Sequence, residues 1–271
     1  MLFDFYTEQE TVFAQTFLKY KYIICAVENN ALLHNMRKAI VDIAAKSAGI
    51  AVPDDDHHDA FLNTFHHQIN PAALNDVRLQ VIAEMNRLPW FRTAYFNLGK
   101  QILFDLVGNE LSMQRRVNLS IQFPHDDSSL LPVHADVWSG DSPYEIVMWL
   151  PLVNCYETKS MYFTRADFDE ATQAQLNRFK NQGAEDLFQA IQDKVEFLNV
   201  PFGSALFFSQ NVMHGNRINR TDETRWSMNC RFKSILTPYN GKTFGEFFEP
   251  ITVRPLTRLG LDYRLPEGFD E

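Results

Sequence analysis

Two residues with metal-binding side chains, His134 and Asp136, lie two positions apart, with apolar residues before, between and after them. Because successive side chains of a strand point to opposite faces, this alternation predicts a strand that carries the imidazole and the carboxylate on one face. A second imidazole is available at His214, which follows the apolar run 205–208. Two imidazoles and one carboxylate that converge form a ligand set for a transition metal and leave other coordination positions open.

A possible carboxylate-binding pair follows the second histidine. Arg225 comes after the turn-like segment 219–223, so the chain can reverse there and return alongside His214. Arg225 and Ser227 then share one face of the returning strand. Since a guanidinium binds a carboxylate through two parallel hydrogen bonds and a hydroxyl can add a third, this pair predicts a site for a carboxylate group. Arg231 continues the same face and is the alternative residue for that role.

The whole pattern, H-x-D, a long gap, H-G and then R-x-S, resembles the 2-oxoglutarate/Fe(II)-dependent oxygenases, and among them the phytanoyl-CoA dioxygenase-like group. The resemblance covers residues 112–236. It implies that Fe(II) is bound by His134, Asp136 and His214, and that Arg225 and Ser227 hold the distal carboxylate of the cosubstrate 2-oxoglutarate. It also implies that O2 is consumed, that succinate and carbon dioxide are released, and that a small-molecule substrate is oxidised.

The outcome and the substrate are implied by the same resemblance. The related halogenases lack the carboxylate that Asp136 provides, so its presence implies hydroxylation, desaturation or epimerisation instead. The chain is also similar to the oxygenases of sporadic carbohydrate clusters, which implies a sugar or a nucleotide sugar as substrate. Two other classes stay open: a non-catalytic cupin-like protein that binds a metal or a small molecule, and a protein or peptide hydroxylase with an exposed groove past the metal.

A competing H-x-D motif starts at His125, but it follows Pro124 and precedes two serines, which favours a solvated loop. The histidines at 57–58 and 66–67 lie among acidic and polar residues and are typical of an exposed face.

The segments that must position these residues change character along the chain. Residues 1–110 read as a helical layer, with a helix from Asn30 to Gly49 and another that starts at Asn70 and Pro71. Residues 111–236 alternate with a period of two and predict the barrel core, interrupted by a helical insert at 165–194. We therefore expect one α+β oxygenase domain built on a double-stranded β-helix, a jelly-roll or cupin-like barrel. Residues 237–271 are expected to wrap it as an extension.

Polar residues on the apolar strands are candidates for the pocket wall, because buried polar groups require partners. They are Asn118, Gln122 and Asn154, which either bind the cosubstrate or substrate or satisfy the backbone of the barrel. The resembling enzymes place an aromatic residue near the cosubstrate, which implies this position for Trp149, whereas the alternative for a strand tryptophan is the apolar core. The insert 167–194 and the loop 138–143 either form the rim that selects the substrate or merely cover apolar sheet.

Composition limits the classes of partner. The chain has 271 residues, 45% of them hydrophobic, which is enough for one large core. Its net charge of −9 gives no electrostatic reason to expect nucleic acid or an anionic membrane as a partner. We expect a cytoplasmic protein, because no apolar run reaches the length of a spanning helix. The three cysteines are widely spaced and are expected to be reduced thiols.

Overall fold

Antiparallel strands form the centre of the molecule in a computed structural model that describes residues 3–268. The strands are β1 (Tyr22–Ala26), β2 (Leu111–Gln114), β3 (Asn118–Gln122), β4 (Ile146–Pro151), β5 (Tyr162–Thr164), β6 (Val195–Phe197), β7 (Ser204–Ser209), β8 (His214–Gly215), β9 (Arg225–Ser234) and β10 (Phe248–Pro250).

Helices surround these strands. The α-helices are α1 (Glu8–Tyr20), α2 (Asn30–Ala48), α3 (His58–Asn63), α4 (Leu74–Arg87), α5 (Phe91–Asn97), α6 (Lys100–Val107), α7 (Ala166–Gln173), α8 (Ala184–Ile191) and α9 (Pro255–Asp262). Short 3₁₀ helices cover Asp55–His57, Phe65–His67, Pro71–Ala73, Asp136–Ser139, Glu157–Lys159, Leu176–Phe179 and Gln192–Lys194.

The strands form two sheets. The larger has the order β1-β7-β4-β9-β2-β10, with β3 paired to the first half of β9, and the smaller has the order β6-β5-β8. Every pair of these strands is antiparallel. The expected combination of helices with antiparallel strands is therefore confirmed.

Helices begin at capping asparagines and end at a glycine close to the positions that the sequence predicts. Gly49 ends α2 in the left-handed conformation at φ 70°, as predicted, but the residue that caps its start is Asn29 rather than Asn30. The side-chain oxygen of Asn29 accepts a hydrogen bond from the amide of Leu32 at 2.9 Å. Asn70 caps the turn that leads into α4 in the same way, through the amide of Ala72.

Two sequence predictions of secondary structure were wrong. Residues 1–110 are not purely helical, since β1 pairs with β7 at the edge of the larger sheet. Its short apolar sequence has no alternation by which to identify a strand. His134 and Asp136 do not lie on a regular strand either: His134 forms an isolated bridge, and Asp136 begins a 3₁₀ helix that ends at Gly140, φ 89°.

Two apolar cores support the sheets. The larger lies between the larger sheet and helices α2 to α6. The smaller joins the insert to the chain beside the two histidines; its buried residues are Val133, Tyr162, Leu187, Phe188, Ile191 and Met213. In the C-terminal extension, Phe248 on β10 is fully buried, whereas the leucines of α9 are exposed. None of the helices within residues 3–268 has the length and apolar character required to cross a membrane.

Gly99, at the start of α6, packs closely against side chains of the larger core. A Cβ atom added there would lie 2.5 Å from Cζ of Phe207 and 3.1 Å from Sδ of Met148. Because Phe207 is itself buried, we expect Gly99→Ala to lower the free energy of unfolding by about 1–3 kcal/mol, measured by urea denaturation. Gly260→Ala is the matched control, because a Cβ atom there meets nothing within 4 Å in an exposed helix. It should leave stability unchanged or raise it by up to about 1 kcal/mol. An equal loss in both variants would contradict this account.

Candidate metal centre

The two histidines are brought together by their own backbones. The amide of His134 donates to the carbonyl of His214 at 3.0 Å, and the amide of His214 donates to the carbonyl of His134 at 2.8 Å. This single antiparallel pair places the imidazole centroids 4.4 Å apart. His214 also belongs to β8, which pairs with Phe163 of β5, and the Phe163 ring stacks on the imidazole.

Each imidazole is held in one tautomer. Nδ1 of His134 lies 2.7 Å from the carbonyl of Pro132, and Nδ1 of His214 lies 2.9 Å from the carbonyl of Val212. A carbonyl oxygen can only accept, so both Nδ1 atoms must donate. The lone pair of a neutral ring is then on Nε2, which is the arrangement found in metal-binding histidines.

Asp136 completes the cluster. One ligand atom from each of His134, Asp136 and His214 can be chosen so that all three lie within 4.8 Å of one another, and no other such group of histidine, cysteine or acidic residues occurs within residues 3–268. Burial opposes ionisation of Asp136, but the neighbouring imidazoles of His134 and His214 and the guanidinium of Arg231 outweigh it and hold the carboxyl pKa well below its usual value.

The histidines have different proton affinities. Burial and the neighbouring His134 lower the pKa of His214 to about 4. Burial also disfavours protonation of His134, but its contacts with Asp136 and the Pro132 carbonyl outweigh this and raise its pKa. Asp136 is thus a carboxylate and His214 neutral at neutral pH, the states in which both can bind a metal.

A small cavity of about 100 Å³ lies against this cluster and extends to Arg225. Its walls are formed by Ser120, Leu131, His134, Asp136, Val147, Trp149, Met161, Phe208, His214, Gly215, Asn216, Arg225, Asn229 and Arg231.

Arg225 is a buried cation that has no acidic partner within residues 3–268. Its side chain is on β9, and the residue is only 2% exposed. Nη2 donates to Oγ of Ser120 at 3.1 Å, while Nε and Nη1 have no partner among the described residues. Burial lowers the pKa of the guanidinium to about 10, so it stays charged at neutral pH. A buried charge is unfavourable unless it is paired, and an anion in the cavity would supply that pair.

Ser120 makes the contact with Arg225, whereas the sequence predicted that Ser227 would act together with this arginine. The two serines face each other across the β3–β9 register, but it is Ser120 that lines the cavity and contacts Arg225. The hydroxyl of Ser227 is buried and has no described partner. The polar face of β3 was visible in the sequence as the alternation of Asn118, Ser120 and Gln122, so the signal for Ser120 was present. Asn229 likewise lies on the face shared by Arg225 and Arg231.

Of the four tentative pocket residues, the structure places only Trp149 in the cavity wall. Asn118 donates to Oδ1 of Asn229 at 3.0 Å and so lies behind a wall residue. Gln122 donates to the carbonyl of Arg217 at 2.8 Å. Asn154 is exposed and accepts a hydrogen bond from the amide of Phe202, which is a structural role in a turn.

The competing motif is not part of the cluster. His125 is exposed with a positive φ of 57°, and Asp126 accepts hydrogen bonds from Ser128. This segment is a loop, as the flanking proline and serines predicted. Arg231 lines the cavity, but its guanidinium faces Asp136 and Asp141, so part of its charge is already neutralised.

The insert contacts the chain on both sides of the cluster. Asp169 of α7 is fully buried and accepts a hydrogen bond from the amide of Met213 at 2.8 Å. Gln173 donates to the carbonyl of Asn211 and accepts from Nε1 of Trp138 at 3.2 Å. The first helix of the insert therefore supports the segments that carry His214 and Asp136.

Neither a protein-family model nor a curated protein sequence matches the chain. Solved structures do. The non-heme monooxygenase ThoJ in complex with nickel has a TM-score of 0.55 at 14% identity, over 94% of this chain and 89% of that chain. EctD from S. alaskensis with 2-oxoglutarate and 5-hydroxyectoine has a TM-score of 0.53 at 15% identity, over 84% and 77%. HygX from Streptomyces hygroscopicus with nickel and 2-oxoglutarate has 0.50 at 12%, over 86% and 89%. These likenesses show that the chain has the fold of these proteins.

The three clustered residues give a direct expectation for metal binding. Purified protein should bind one divalent transition metal ion per chain, and His134→Ala or His214→Ala should each abolish binding at micromolar metal, because each removes one of three ligands. Metal stoichiometry after anaerobic gel filtration measures this. His125→Ala is the matched control, since this exposed histidine lies in the competing motif. Loss of metal in that variant, with retention in the other two, would transfer the site to the loop.

Proposed function

We propose that this protein is an Fe(II)- and 2-oxoglutarate-dependent oxygenase that oxidises a small molecule, and that its two sheets form a double-stranded β-helix. The observation that carries the proposal is that one small cavity joins a His/Asp/His cluster to the buried guanidinium of Arg225. Two nitrogens of this guanidinium have no partner among the described residues. A metal alone would explain the cluster. A metal together with a diacid that reaches Arg225 explains both.

The residues present fit these two groups. His134, Asp136 and His214 offer two imidazole nitrogens and one carboxylate, the set that non-haem Fe(II) uses. Arg225, with Ser120 beside it, offers unused N–H donors to the distal carboxylate of 2-oxoglutarate. When bound, the metal and cosubstrate supply the oxidising chemistry, in which O2 and 2-oxoglutarate are consumed and succinate and carbon dioxide leave.

The chain itself contributes placement and exclusion of water. The backbone pair between His134 and His214 fixes the two nitrogen ligands, and apolar walls at Val147, Trp149 and Phe208 limit access of water to the cavity. The cavity opens towards the partly exposed His134 and Leu131, so the primary substrate would approach from this side.

We propose a small molecule and not a protein as the substrate, because the sequence resemblance implies it. A sugar or a nucleotide sugar, oxidised by hydroxylation, desaturation or epimerisation, is the class that we propose to test first, because the sequence resemblance implies it. The reaction is tested by incubating the Fe(II)-loaded protein with 2-oxoglutarate and O2 and measuring succinate, alone and with panels of sugars. Metal and 2-oxoglutarate binding without any succinate would instead identify a cupin-like binding protein.

Arg225 gives the most specific prediction of this proposal. Arg225→Ala should keep the metal but weaken 2-oxoglutarate binding by about 2–5 kcal/mol, because it removes a buried, charge-assisted pair. Arg225→Lys should restore only part of this loss, since an ammonium lacks the planar fork. Calorimetric titration of the metal-loaded, anaerobic protein measures both.

Arg220→Ala is the control for Arg225, because Arg220 is an exposed arginine in the turn that precedes β9. It should leave the affinity for 2-oxoglutarate unchanged. If Arg225→Ala binds 2-oxoglutarate as tightly as the natural protein does, the cosubstrate is held elsewhere and this assignment is wrong.

A further inference from the structure

Arg231 occupies a different place in the cavity from Arg225. It lies on the same face of β9, and its guanidinium faces the candidate metal ligand Asp136. Nη2 of Arg231 is 3.4 Å from Oδ1 of Asp136 and 3.7 Å from Oδ2 of Asp141. Its backbone is fixed as well, because its amide donates to the side-chain oxygen of Gln114 at 3.3 Å. The guanidinium therefore bridges two carboxylates, one of which belongs to the cluster.

The second carboxylate is itself held by the C-terminal extension. Asp141 is 2% exposed and forms an ion pair with Lys242. The surrounding backbones are joined by a hydrogen bond from the amide of Gly241 to the carbonyl of Gly140 at 3.2 Å, and by one from Ser142 Oγ to the carbonyl of Pro238 at 2.9 Å. Acidic and basic groups thus alternate from Asp136 through Arg231 and Asp141 to Lys242.

This alternation has an energetic reason. Asp136 and Asp141 both lie within 4 Å of the same nitrogen of Arg231, and two carboxylates this close in a largely buried place would repel one another. The positive charge of Arg231 between them offsets this repulsion. A charged donor on one carboxylate oxygen also fixes the rotation of the carboxyl group, which otherwise turns easily about its last side-chain bond.

We propose that Arg231 is a positioning residue that holds the carboxylate of Asp136 in its metal-binding orientation, with Asp141 and Lys242 holding Arg231 in turn. The inference rests on the proposed function, since it requires the metal at this cluster. It separates the two arginines of the cavity: Arg225 serves the cosubstrate and Arg231 serves the metal ligand. Outer partners of metal ligands contribute about 10–100-fold to metal affinity or activity.

The test measures metal binding without cosubstrate. Arg231→Met should weaken binding of Fe(II) or Co(II) by about 10–100-fold and change the absorption spectrum of the Co(II) form, because the carboxylate is no longer fixed. Arg231→Lys, which keeps the charge, should restore part of the affinity. Asp141→Asn should show a smaller loss in the same direction. If Arg231→Met does not fold, Arg231→Lys and Asp141→Asn test the proposal instead.

Lys233→Met is the matched control, because Lys233 is a fully buried cation on the same face of β9 that contacts Pro238 and Tyr239 instead of the cluster. It should lower stability but leave metal affinity and the Co(II) spectrum unchanged. Equal metal affinity in the natural protein and the Arg231 and Asp141 variants would overturn the inference. So would unchanged metal affinity with weakened 2-oxoglutarate binding, which would make Arg231 a cosubstrate residue. A natural protein that binds no metal would overturn this inference together with the proposed function.

Discussion

Two backbone hydrogen bonds between His134 and His214 are the constraint on which the candidate centre depends. They join an otherwise irregular segment to the smaller sheet, and they place the two imidazoles side by side. The carbonyls of Pro132 and Val212 then fix the tautomer of each ring, and Phe163 covers one imidazole at a stacking angle of 18°. The two imidazoles are therefore held in place by the protein itself, which would lower the entropic cost of binding a metal between them.

The opposite wall of the cavity depends on the alternation of β9. One face of this strand carries Arg225 and Arg231, whose charges are unfavourable in a buried place. The other face is fully buried in the larger core through Trp226, Met228, Cys230 and Phe232. Trp226 also donates from Nε1 to the carbonyl of Leu62 at 3.0 Å, which ties the strand to α3. Apolar burial on one face thus offsets the desolvation of the cations on the other, and a single strand can be both support and binding surface.

The sequence shows which residue types occur and at what spacing, but contacts between strands depend on the folded sheet. The combination of H-x-D, the distal H-G and the R-x-S pattern selected His134, Asp136 and His214, and the structure brings these three residues together. The polar face of β3 was visible in the sequence, but the contact between Ser120 and Arg225 was not, since it depends on the cross-strand register with β9. Registers are set by the whole sheet, and a shift of one residue would have turned Ser120 away.

The prediction of secondary structure from the sequence was wrong where tertiary contacts determine the backbone conformation. β1 is a strand because it pairs with the edge of β7, and Asp136 begins a 3₁₀ helix that is held by a hydrogen bond between Trp138 and Gln173.

Contacts of this kind also limit how the insert can move. Asp169 cannot leave without releasing the buried amide of Met213, next to His214, and its own ion pair with Lys21. The first helix of the insert therefore supports the segments that carry Asp136 and His214.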